Sequence, residues 1–104
     1  MRPYRNLKLA SLIQRELNNI LLRDYETEPG VFITITGVEI DEKLLRAKIK
    51  LGVIPFEKEP EVFLKIQKSS RSLRYKLLKK INIKPMPKLV FFLQEGSGQK
   101  NTVM

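Results

Sequence analysis

Apolar residues in the first two dozen positions recur at the spacing of one helical face. Leu9 or Ala10, then Ile13, Leu17, Ile20 and Leu21 form a stripe, and Arg2, Arg5, Lys8 and Arg15 fall mostly off it. Asn6 is placed to cap this helix, which should end near Asp24, before Glu26-Thr27-Glu28-Pro29-Gly30, where Pro-Gly marks a break. The period then changes to two. VFITITGVEI (31–40) is β-branched, with Val31, Ile33 and Ile35 on one side, Thr34 and Thr36 on the other, and Gly37 a candidate bulge. Asp41-Glu42-Lys43 reads as a hairpin connection to a strand at about 44–54. There Ala47, Ile49, Leu51 and Val53 face in, and Arg46, Lys48 and Lys50 face out.

Helical spacing returns after a charged linker bracketed by Pro55 and Pro60, the latter suited to a first helical turn. Phe63, Ile66, Ser70, Leu73, Leu77 and Ile81 share one side, and Asn82, Pro85 and Pro87 end the pattern. LVFFL (89–93) has the length of a buried third strand; exposed, it would be an aggregation hazard. GSGQKNTVM (96–104) has no periodicity and reads as a flexible C-terminal tail behind a single domain, 1–95. The order helix, strand, strand, broken helix, strand predicts an α+β fold of two layers. A helical crossover makes the last two strands parallel, so the three-stranded sheet is mixed, with helices on one face.

A chain of 104 residues supports one modest core. It has no cysteine and no histidine, which removes disulfides, thiolate metal sites and the commonest general base. No metal or cofactor is expected, and no enzymatic activity. Glu39, Asp41 and Glu42 fit turn chemistry, and Gly96-Ser97-Gly98 lacks the Lys-Ser/Thr and helix of a phosphate loop. The N-terminus is basic and then apolar, but Gln14, Arg15, Glu16, Asn18 and Asn19 interrupt the run. No stretch approaches the roughly 18 apolar residues that span a bilayer, so a cytoplasmic protein without a membrane partner is expected.

Net charge is +9, and it is unevenly spread. Residues 1–24 hold five basic and two acidic side chains, residues 25–60 five and seven, and residues 61–88 nine basic against Glu61 alone, a local +8. At the centre of that block lies KIQKSSRSLRYKLLKK (65–80), seven cations without an acid. Three readings compete. A merely solvated face normally mixes both signs. A membrane-surface helix needs an exposed apolar face, which here must cover the sheet. A surface for polyanions accounts for the single sign. Ser69-Ser70-Arg71-Ser72 suits a bend better than an unbroken helix, and the start of a second helix favours phosphate. Lysines supply salt-dependent affinity, arginines fork onto phosphates, and Tyr75 is a candidate for stacking on a base.

The α-β-β-α-kink-α-β order with a basic, serine-bearing break resembles a type II KH domain. Within that group the chain resembles the ribosome-binding factor A family over about residues 5–95. The resemblance is carried by RNLKLASLIQRELNNIL, by Glu28-Pro29 followed by ITITGVEI, by LLRAKIKLGV, and by LKIQKSSRSLRYKLLKKINIKPMPKLVFFLQE. Family members carry an Ala-x-Gly kink in place of a GxxG loop; this chain has Ser69-Ser70-Arg71 there, and Glu28 where aspartate is common. The resemblance implies a monomeric assembly factor. It would bind the free, immature 30S subunit through 16S rRNA, near the 5′ region and the neck, and assist late maturation and rRNA processing, notably in the cold. On this reading Lys65, Lys68, Arg71, Arg74, Lys76, Lys79, Lys80 and Lys84 hold the RNA backbone, and Ser69 and Ser70 set the break and donate to phosphate. Arg2, Arg5, Lys8, Arg46, Lys48 and Lys50 are secondary contacts or solvated positions. The alternatives are a general single-stranded nucleic-acid-binding KH-like module, a helix-turn-helix reading DNA with 70–81, and a permanent ribosomal protein. Lysine-rich composition disfavours groove reading, and long basic extensions are lacking for the last.

Overall fold

In the computed structural model, which describes residues 3–83 and 86–93 with side chains from residue 7 onward, the first helix, α1, runs Pro3–Asp24. Proline's fixed φ and missing N–H cost nothing in a first helical turn. The helix therefore begins upstream of Asn6, which lies within it instead of capping it. The expected stripe is real: Ala10, Ile13, Leu17, Ile20 and Leu21 are all buried.

That stripe lies on a three-stranded sheet of order β1-β2-β3, formed by β1 (Phe32–Ile40), β2 (Arg46–Ile54) and β3 (Lys88–Leu93). β1 and β2 are antiparallel, β2 and β3 parallel. A parallel pair requires the chain to return to the starting end of the sheet. A 3-10 turn (Phe56–Lys58), α2 (Glu59–Lys68) and α3 (Ser70–Lys80) make that return. Pro60 sits in the first turn of α2 as expected. The mixed sheet and one-sided helices are those read from the sequence.

Side chains along β2 alternate without exception at its centre. Ala47, Ile49, Leu51 and Val53 are buried under the helices, and Arg46, Lys48 and Lys50 are exposed on the far face. In β1 the alternation slips at a bulge between Ile35 and Gly37, so the extra residue is Thr36 rather than the glycine. Val31 and Ile35 face in before it, and Val38 and Ile40 pack partly against the core after it. Asn18 of α1 pins this point: the Ile35 N–H donates to its Oδ1 at 2.8 Å. The Ile35 carbonyl accepts from Asn18 Nδ2 at 3.3 Å and from Gln14 Nε2 at 3.1 Å.

Three further expectations change. The second strand begins at Arg46, not 44, because Asp41 organises the turn. Its Oδ1 accepts from the N–H groups of Leu45 (2.7 Å) and Arg46 (3.2 Å), its carbonyl accepts from Leu44 N–H (3.0 Å), and Leu44 takes φ +60°. On α2 the buried residues are Val62 and Ile66, and Phe63 is only half-buried. Finally, LVFFL is covered on one face only: Leu89 and Phe91 are buried, whereas Phe92 is 44% exposed. Among the described residues, no helix is long and apolar enough to cross a membrane.

Candidate nucleic-acid interface

A single residue separates α2 from α3. Ser69 has φ −92° and ψ 4°. Its amide donates to the carbonyls of Lys65 (3.1 Å) and Ile66 (3.0 Å), closing α2, and its carbonyl accepts from Leu73 N–H at 2.9 Å, opening α3. The Ser69 hydroxyl does not cap α3; it donates back to the Lys65 carbonyl at 2.9 Å. Such back-bonding bends a helix without glycine. The Tyr25 phenol packs beside it: burial pushes its pKa up, and the adjacent Ser69 hydroxyl pulls part of the way down. The break is thus braced from the loop that follows α1.

That loop is tied to α2 a second time. Lys58 Nζ lies 3.1 Å from Glu28 Oε1 and 3.9 Å from Glu61 Oε1. The hydrogen bond and charge of Lys58 hold the Glu28 carboxyl below its ordinary range, and Glu28 in turn raises Lys58. These exposed pairs add little energy individually, but they join the acidic loop to the helix that carries the basic block.

The expected site residues divide into groups. Lys65, Lys68 and Arg71 are exposed on either side of the break, and Ser70 is half-buried at the start of α3. Lys79 and Lys80 are exposed at the end of α3, where Lys79 Nζ stands 4.8 Å from the centroid of the Tyr75 ring. Tyr75 is itself 60% exposed, open enough for a base to reach. Lys76 is half-buried and lies 3.8 Å from Asp24 of α1.

Arg74 has another task. Its Nη2 donates to the Met86 carbonyl at 2.7 Å and its Nε to the Pro87 carbonyl at 3.3 Å, so its guanidinium fastens the connection between α3 and β3. Sequence reasoning missed this, although position 74 borders the buried Leu73 and Leu77 and was a place to look for a half-buried arginine. Arg46, Lys48 and Lys50 lie on the opposite side of the sheet, and Lys50 pairs with Glu39 at 3.3 Å. Lys8 is exposed on α1. Arg2, Lys84 and the 96–104 tail lie outside the described residues, as does the side chain of Arg5. Among the described residues, no cluster of three or more acidic side chains could hold a metal ion.

A helix–break–helix crossover covering one face of a mixed three-stranded sheet, with cations crowded about the break, defines a two-layer α+β domain of order α-β-β-α-α-β. A family model described as ribosome-binding factor A matches residues 5–103. The chain is 33% identical over 104 residues to the ribosome-binding factor A of Bordetella parapertussis, covering 98% of this chain and 77% of that protein. It is 31% identical over 101 residues to that of Opitutus terrae, covering 96% and 82%. The fold is also that of the crystal structure of ribosome-binding factor A from Thermus thermophilus (TM-score 0.73, 15% identity, 86% of this chain and 97% of that one). A Thermotoga maritima protein solved by NMR is similar too (TM-score 0.69, 25% identity, 97% and 95%). The chain belongs to the ribosome-binding factor A family.

Proposed function

We propose that this chain binds the free 30S ribosomal subunit through 16S rRNA and assists its late maturation and rRNA processing, acting as a monomer in the cytoplasm. The observation that carries the reading is the braced break at Ser69 with exposed cations on both sides, in a stretch (62–88) that contains no acid. The family relation supports the choice of RNA, and a Thermus thermophilus ribosome-binding factor A has been fitted into a cryo-EM map of a 30S complex.

The residues divide the work by chemistry. Lys65, Lys68, Lys79 and Lys80 neutralise backbone phosphates, which makes affinity fall with salt. Arg71, at the first turn of α3, forks onto a phosphate beside the positive end of that helix. Ser70, at the first position of α3, donates to phosphate. Tyr75, with Lys79 over its ring, offers a base a stacking partner.

Sedimentation of the chain with free small subunits, large subunits and assembled ribosomes, at low and moderate salt, tests this. Binding confined to free small subunits that survives moderate salt and is lost in Arg71→Glu is expected. Equal binding to every RNA, vanishing with salt, would overturn the assembly role and leave a general single-stranded nucleic-acid-binding module.

A further inference from the structure

The sheet face turned away from the helices is uncovered by any described residue, and it is not chemically neutral. The parallel register of β2 and β3 sets Arg46 beside Lys88, Lys48 beside Val90, and Lys50 beside Phe92. Successive outward rungs are two residues, roughly 6.6 Å, apart. Four cations therefore crowd a short strip that leads to a ring 44% exposed. Glu39 stands directly opposite Lys48 in the antiparallel register but is ion-paired with Lys50. Asp41 directs Oδ1 into its own turn. Among the described residues, Arg46, Lys48 and Lys88 form no ion pair.

Beyond Phe92 the strip continues over low relief. A Cβ at Gly52 would meet the Thr36 methyl at 3.1 Å and the Thr34 methyl at 3.4 Å, so glycine keeps the floor of β2 bare where two threonines lean across it. The strip ends at the cross-strand pair Phe32 and Ile54, 67% and 66% exposed.

Cations on successive rungs leading to an open aromatic ring, along an uncurtained strand face, are the elements of a stacking platform for unpaired bases. We infer that this face binds single-stranded RNA, with a base on Phe92 and phosphates on Lys48, Arg46 and Lys88. The charge excess selects a polyanion, and the rings select one whose bases are free to leave a stack. An acidic peptide offers the charge without the faces, and a duplex keeps its faces hidden. Helices and platform occupy opposite sides of the sheet, so RNA bound on this face does not obstruct the helix side. This inference does not need the helix-side reading to be right.

The test is an NMR titration of the full ¹⁵N-labelled chain with a single-stranded decauridine, an RNA duplex and a decaglutamate peptide, repeated on Phe92→Leu, Phe92→Tyr, Lys48→Gln and Arg71→Gln. Decauridine should shift the amides of Lys48, Val90 and Phe92. Phe92→Leu should weaken that event about tenfold, as loss of one base–aromatic stack requires, and Phe92→Tyr should restore it. Lys48→Gln should lower the salt slope by about 0.7, one phosphate on a single strand. All of this should persist in Arg71→Gln. Shifts confined to the helices, unchanged affinity in Phe92→Leu, or equally tight sheet-face binding of duplex or decaglutamate would overturn the inference.

Discussion

Arg71 and Arg74 lie one turn apart on α3 and carry the same charge, yet replacing each by methionine should have opposite consequences. Methionine keeps an apolar stem and removes only the guanidinium. At position 74 that deletes a short charge-assisted bond to the Met86 carbonyl (2.7 Å) and a longer one to the Pro87 carbonyl (3.3 Å). Met86 is 4% exposed, so its carbonyl has little water to turn to. One good charged hydrogen bond and one weaker bond together amount to about 2 kcal/mol. For a domain of this size, that lowers the thermal midpoint by about 10 °C. At position 71 the side chain is exposed and makes no described ion pair, so stability should stay within about 0.5 kcal/mol while subunit binding falls. Urea unfolding followed by far-UV circular dichroism, with sedimentation on the same samples, separates the two. An unchanged midpoint in Arg74→Met, or equal destabilisation in both variants, would refute the assignment of Arg74 to the α3–β3 connection.

Two further outcomes follow from the braces around the sheet. Asn18→Ala leaves the Ile35 N–H without its acceptor while Gln14 still serves the carbonyl, and should cost about 2 kcal/mol in urea. A loss indistinguishable from that of an exposed helix substitution would show that water replaces the amide. Glu28→Gln tests the tie to Lys58. Because the folded Glu28 carboxyl titrates below its ordinary value, its contribution is full above the unfolded glutamate range and disappears as pH falls through the lowered folded value. Wild type should melt slightly above Glu28→Gln at neutral pH, with the gap closing in acid; a gap constant with pH would sink the idea.

The parts of this molecule legible in its sequence are those set by local burial. The α1 stripe, the β2 alternation and the serine break at 69 each leave a period or an interruption that the chain itself carries. The features that escaped are made by partners distant in sequence. Arg74 meets carbonyls 12 and 13 residues away. Asn18 meets Ile35 across 17 residues, and as an amide in an apolar run it registers only as a blemish. Leu44 in the left-handed region has no compositional signature, since glycine or asparagine would normally be sought there. The site divides the same way: the local excess of charge is plain, but which cations face outward and which fasten the fold depends on the packing of α3 against the segment before β3.

The Thr36 bulge and the Asn18 amide also bear on how the protein behaves in company. β1 is an outermost strand, and a straight outermost strand offers its unpaired N–H and C=O groups as a template for another copy of the chain. Here the register breaks in mid-strand, and Ile35 has both its N–H and its carbonyl occupied by α1 side chains. An incoming strand finds the ladder interrupted at its centre. The helix that builds the core thus also guards the β1 rim against edge-to-edge growth into insoluble fibrils, while the apolar run LVFFL forms the opposite rim.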